Sequence, residues 1–150
     1  MLIKSLPGEK ALVMHAFFRA KLSEKQRSCV VVHGGTNSIL MFDGTVTDQS
    51  AEDIANELLD MGGTCREFSV GKIIFSGITR RRSGWEGEIK RREINSLLRS
   101  GCLERGYVFI DNDNISLNDI ENKPRDKVHL LESGSVKLAN NILRVLNAKL

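Results

Sequence analysis

Residues 29–38 read CVVVHGGTNS. Three successive valines are β-branched and no polar residue interrupts them, so the run suits a strand better than one face of a helix. A continuous apolar run is how a strand reads when both of its faces are covered, as in a parallel sheet. His33 and two glycines end it, which leaves Gly35, Thr36 and Asn37 at the carboxyl end of the expected strand. Two further runs have the same character, VGKIIFSGIT from Val70 and GYVFIDN from Gly106, and a shorter one, MLIKSL at residues 1–6, is cut off by Pro7 and Gly8.

Helical periodicity fills the intervals. Residues 9–26 carry Met14, Phe17, Phe18 and Leu22 at helical spacing, and 51–61 carry Ile54, Leu58 and Met61 with Gly62 and Gly63 as the expected stop. Residues 85–104 place Ile94, Leu97, Leu98 and Cys102 on one face, and Leu138, Ile142, Val145 and Leu146 line a last helix. Strands alternating with helices predict βαβ units, hence an α/β fold in which a mostly parallel sheet is flanked by helices in three layers. Nothing in 150 residues reads as a repeat or a linker, so residues 1–150 are expected to form one domain.

Composition narrows the classes. Hydrophobic residues make up 41% and charged residues 27%, the balance of an ordinary globular chain. A formal charge of +3, from 22 basic and 19 acidic residues, is too mild to point to nucleic acid. Cys29, Cys65 and Cys102 are odd in number and widely spaced, which reads as free thiols of a reducing, cytoplasmic setting and not as a disulfide frame or a zinc site. The first ten residues hold no apolar run of signal-peptide length, and no segment reaches a membrane span. DNDNISLND is oxygen-rich but lacks the glycine and terminal glutamate of an EF-hand loop, so calcium is set aside and no metal is expected.

In open parallel sheets ligands sit outside the carboxyl ends of the strands. There the sequence places Gly8, Asn37 and, on the loop before the last helix, Asp126 and His129. In this order the residues resemble the sequence blocks of the SGNH hydrolases, the GDSL-type esterases and lipases. Gly8 in SLPGEK matches the family's second block. Gly35, Thr36 and Asn37 match its third, although Ser38 stands where an aspartate is usual. Asp126, Lys127, Val128 and His129 match its fifth, aspartate–two residues–histidine. The resemblance implies a flavodoxin-like SGNH fold and acyl-ester hydrolysis without metal or organic cofactor, on lipid, carbohydrate or small-molecule esters. It implies His129 as general base, Asp126 as its orienting acid, and Gly8 N–H and the Asn37 amide as oxyanion donors.

The family's first block, glycine–aspartate–serine after the first strand, has no counterpart in these 150 residues. The resemblance therefore implies a domain lacking its first strand and that strand's serine, with the nucleophile unassigned and activity absent or incomplete. Ser5, Ser38 and Ser76 are not on strand-to-helix elbows, and Cys29 and Cys65 are set among core residues. A missing interior strand would leave an open sheet edge suited to self-association, a sheet built on the last three strands, and an N-terminal segment poorly anchored.

Other readings stay open. Asp126 could cap a turn before a packing histidine, and His33 and His15 read as structural. The basic run TRRRSGW, extended by Lys90, Arg91 and Arg92, reads as a solvated face, as a site for acidic substrates, or as a phosphate-contacting patch with Trp85 beside it. The chain could thus be a non-catalytic module binding a ligand or partner in the old cleft, or a basic accessory to nucleic acid.

Overall fold

A computed structural model describes residues 11–41 and 44–148. The run at 1–6, Ser5 and Gly8 lie outside them. Helices α1 (Ala11–Glu24), α2 (Ala51–Glu67), α3 (Gly84–Arg105) and α4 (Glu132–Leu146) alternate with strands β1 (Cys29–His33), β2 (Lys72–Ser76) and β3 (Val108–Ile110). The strands pair in the order β1-β2-β3, both pairings parallel, with Val32 opposite Phe75 and Phe75 opposite Phe109. The three continuous apolar runs are therefore strands of one parallel sheet, as expected.

The pleat sends alternate residues to opposite faces. Val30, Val32, Ile73, Phe75 and Phe109 join the main core with Ile54, Leu58, Ile94 and Leu98 from α2 and α3, while Leu22 arrives from α1. Ile74 and Ile110, of the other parity, are buried on the opposite face. There α4 is tied down by Lys72 Nζ, which donates to the Val145 carbonyl at 2.9 Å. Helices thus cover both faces, giving three layers. Among the described residues β1 pairs with β2 alone.

Three helix readings are corrected. α2 does not stop at Gly62 and Gly63. It runs on to Glu67, and Ser69, at φ 58°, ends it with the Val70 N–H bonded to the Cys65 carbonyl at 3.0 Å. Gly62 serves packing instead. A Cβ there would collide with the Tyr107 ring, so the missing side chain is what lets the ring close onto the helix. On α1, Met14, Phe18 and Leu22 recur at every fourth position and face the core, whereas Phe17 is 53% exposed, one residue off that stripe. On α4 the fully buried positions are Gly134 and Asn141. Leu138, Ile142 and Val145 are half-buried, and Leu146 is exposed.

Candidate active site

The loop from β3 to α4 is a small hairpin. Lys123 and Asp126 exchange backbone hydrogen bonds at 3.0 and 3.1 Å around Pro124 and Arg125, and the Glu121 N–H bonds the His129 carbonyl at 2.9 Å. Pro124 suits the first corner of such a turn because its ring pre-sets φ. In this frame Asp126 Oδ1 accepts from His129 Nδ1 at 2.9 Å and from the backbone N–H groups of His129 and Val128 at 3.1 and 3.4 Å. The His129 N–H, followed by its ring, holds the Asp126 carboxyl below the usual carboxylate range. An ionised Asp126 fixes Nδ1 as the ring's donor, which leaves Nε2 with a free lone pair. The His129 side chain is 77% exposed, so Nε2 is open to solvent.

Asn37 sits on a single helical turn, Thr36–Ser38, directly after β1. Gly35 makes the reversal into that turn at φ 100°, a left-handed conformation that suits glycine, and buries itself against Leu58 and Ile78. The Asn37 amide is half-buried and has no hydrogen-bond partner among the described residues. Gly8, the other expected donor, lies outside them.

The segment between β2 and α3 ties these two places together. Arg81 Nη1 donates to the Thr36 carbonyl at 2.9 Å, and the next residue, Arg82, donates its backbone N–H to the Lys127 carbonyl at 2.9 Å. Asn37 and Asp126 are therefore each one residue, and His129 two residues, from a carbonyl held by this segment, on the carboxyl side of the sheet. The segment itself is anchored to α3, where Asn95 receives the Ile78 N–H at 2.8 Å and donates to its carbonyl at 2.9 Å.

Behind the hairpin runs a buried asparagine ladder that sequence reasoning misses. Asn112, after β3, donates to Ser76 Oγ at 2.8 Å and to the Gly77 carbonyl at 2.7 Å, and Asn141 of α4 donates to Asn112 and Asn114 at 2.9 and 2.8 Å. The one signal in the sequence is Asn141, a polar residue beside the apolar stripe of an amphipathic helix. His33 Nδ1 lies 3.0 Å from Ser76 Oγ, and His15 Nε2 lies 2.6 Å from Thr64 Oγ1, so both histidines bridge neighbouring elements.

α4 is further held by Asp119, whose Oδ2 takes Lys137 Nζ at 2.7 Å and the Ser116 N–H at 2.9 Å. Lys137 foremost, then Ser116 and Ser133, hold the Asp119 carboxyl far below the usual range. A carboxyl depressed by folding stabilises fully above its unfolded value, about 3.9, and that stability is lost as pH falls through the folded value. The denaturation midpoint is accordingly expected to hold steady down to about pH 4 and to decline below it. Asp119→Asn should make that decline shallower, as read by urea titrations across the acid range.

Among the described residues the serine candidates are buried, as are Cys65 and Cys102, and Cys29 is half-buried. Ser38 and Ser76 are 1% and 3% exposed. Burial raises the Cys29 thiol, and raises Cys65 and Cys102 to about 12 and about 11. The basic run is also largely committed to the fold: Arg80 donates to the Asp113 and Ile115 carbonyls, Arg91 is buried, and Arg92 pairs with Glu88 beneath the Trp85 ring. Among the described residues no cluster of side chains could hold a metal ion, and no helix is long and apolar enough to cross a membrane.

No protein-family model matches the sequence, and no curated protein matches it either. Solved structures do match in three dimensions. The M. smegmatis aryl esterase superposes with a TM-score of 0.75 at 13% identity, over 99% of this chain and 78% of that one. A catalytic mutant of an acetylxylan esterase from Geobacillus stearothermophilus gives 0.69 at 16%, over 95% and 69%. A carbohydrate acetylesterase from Sinorhizobium meliloti gives 0.65 at 16%, over 88% and 66%. The chain has an SGNH hydrolase-like fold.

At these identities the likeness concerns the fold. Within this SGNH-like framework, the segment carrying Asn37 follows β1 and the hairpin carrying Asp126 and His129 precedes α4.

Proposed function

We propose that this chain carries the acid–base and oxyanion-binding part of an ester-hydrolase site acting on small acyl esters. The observation that supports this most is the Asp126 Oδ1–His129 Nδ1 contact of 2.9 Å beneath an exposed imidazole. His129 Nε2 takes a proton from the attacking hydroxyl and returns it to the leaving alkoxide. Asp126 keeps the proton of Nδ1 in place and offsets the imidazolium charge. The Asn37 amide, unengaged among the described residues, is the donor for the tetrahedral oxyanion, with the Gly8 N–H as its partner by resemblance.

The attacking group is not assigned. The sequence contains no glycine–aspartate–serine block, and Ser38 and Ser76 are buried. Water can take the hydroxyl's place, because a positioned base and oxyanion donors remain useful without a covalent nucleophile. A base of this kind contributes about 10²–10⁴-fold. The chain is expected to hydrolyse a short activated acetyl ester slowly, and His129→Ala should remove that rate by about 10²-fold or more. Equal rates for wild type and His129→Ala, both shown folded by circular dichroism, would overturn the proposal. Saturable ester binding without turnover would then favour a binding module.

A further inference from the structure

Four buried side-chain polar atoms have no hydrogen-bond partner among the described residues: Thr36 Oγ1, Arg81 Nε, Arg82 Nε and Ser83 Oγ. All four belong to one place, the segment after β2 and the turn that it bonds. Native folds leave few such atoms, and four together mark this segment as poorly satisfied without a further partner. Here all four belong to groups that can donate, and two are guanidinium N–H groups.

The charge balance points the same way. Arg80, the first of the three consecutive arginines, faces Glu88 at 3.7 Å, and Arg91 is paired with Glu88 and Asp113. Arg81 and Arg82 have no carboxylate partner among the described residues. Their side chains bond neutral carbonyls, those of Thr36 and Leu117 at 2.9 and 2.7 Å. Burial lowers the Arg81 pKa with no acid to oppose it, whereas Glu88 and Asp113 outweigh burial at Arg91. A half-buried cation without a counter-charge is poorly compensated, and an anionic ligand would supply what is lacking.

We propose that Arg81 and Arg82 bind a carboxylate of the substrate, so that the esters taken by this site carry a negative charge next to the acyl group. The location fits, because Arg81 holds the residue before Asn37 and Arg82 holds the hairpin of Asp126 and His129. A carboxylate suits a guanidinium, whose planar fork of N–H groups it matches, and Arg81 and Arg82 have only neutral carbonyls as partners among the described residues. The substrate class rests on the hydrolase reading above, but the anion site does not, and the test separates them.

The full chain, ¹⁵N-labelled at arginine, is titrated with acetate and separately with inorganic phosphate at constant ionic strength. The Arg81 and Arg82 Nε–H signals are expected to shift saturably with acetate, while those of exposed Arg92 and Arg99 drift linearly. Arg81→Gln with Arg82→Gln should abolish the saturable part while the amide spectrum stays dispersed, and Arg81→Lys should weaken it in a protein that keeps the charge. His129→Ala should bind acetate as the wild type does, so loss of hydrolysis and loss of the anion site read out independently. Linear drift at all four arginines, or saturation by phosphate in preference to acetate, would overturn the assignment.

Discussion

Arg91→Ala is expected to lower the unfolding free energy by about 3 kcal/mol, the low end for removing one member of a buried ion pair, because Glu88 keeps other arginines. Arg91 is 2% exposed and sits in the buried stripe of α3 with Ile94 and Leu98. Its guanidinium donates to both Glu88 oxygens at 2.8 and 2.9 Å, to the Ile78 carbonyl at 3.0 Å and to Asp113 at 3.0 Å. Burial works against the Arg91 charge, but Glu88 and Asp113 overcome it, and hydrogen bonds from Arg91 hold the Glu88 carboxyl below its ordinary value. Truncation would take two hydrogen bonds from Glu88, whose side chain is 16% exposed, leaving it Arg92 at 3.0 Å and Arg80 at 3.7 Å, and would leave the Ile78 carbonyl to Asn95 alone. Asp113 is 55% exposed and is rescued by water, so the loss comes from the buried bonds to Glu88 and the Ile78 carbonyl. Urea unfolding with an unchanged slope should show the deficit, and Arg91→Ala with Glu88→Gln should recover part of it. A loss below about 1 kcal/mol, the scale of an exposed pair, would mean that water enters and screens the site.

The same substitution reaches the candidate site. Ile78 begins the segment that carries Arg81 and Arg82, and those two residues hold the carbonyls of Thr36 and Lys127. Loosening Ile78 therefore slackens both halves of the site through the same strand end.

Arg91 also shows where sequence reading stops. In a string of basic residues it resembles any solvated arginine, and Glu88 three residues before it suggests an ordinary surface pair. Its spacing places position 91 on the face of 94 and 98, but only the packing shows that the arginine is buried there. Gly62 and Gly63 mislead for a related reason. Two glycines after an apolar face signal a stop, but the stop depends on Ser69 in the left-handed region, and the glycine serves Tyr107, 45 positions along the chain. The three strands were legible because a continuous β-branched run depends on its own composition. The parts of the candidate site were legible as positions, Asn37 after one strand and Asp126 with His129 before the last helix. The connection between them was not, because it runs through arginine hydrogen bonds to carbonyls, which leave no pattern in sequence.

Asp126 provides the other large effect, and its two simplest substitutions should differ. In a Ser-His-Asp triad, aspartate to asparagine drops kcat about 10⁴-fold because the amide favours the wrong imidazole tautomer. The hairpin argues against that outcome here. The oxygen facing His129 Nδ1 is also the one that receives the backbone N–H groups of Val128 and His129. Two backbone donors select oxygen over an amide NH₂ at that point, so the Asn side chain in Asp126→Asn should orient its oxygen toward Nδ1 and keep the working tautomer. What it loses is the charge. A hydrogen bond to a charged acceptor exceeds a neutral one by about 1–2 kcal/mol, which gives a decrease of about tenfold in the His129-dependent rate. Asp126→Ala removes acceptor and charge together, and should forfeit most of the base's contribution, about 10²-fold or more. The backbone bonds between Lys123 and Asp126 do not involve the side chain, so the turn itself should survive both changes. Ring ¹⁵N shifts of His129 supply a readout independent of turnover: proton on Nδ1 in wild type and Asp126→Asn, and a shift toward Nε2–H in Asp126→Ala. An Nε2–H tautomer in Asp126→Asn, with a rate as low as that of Asp126→Ala, would show that the backbone donors do not govern the side chain's orientation.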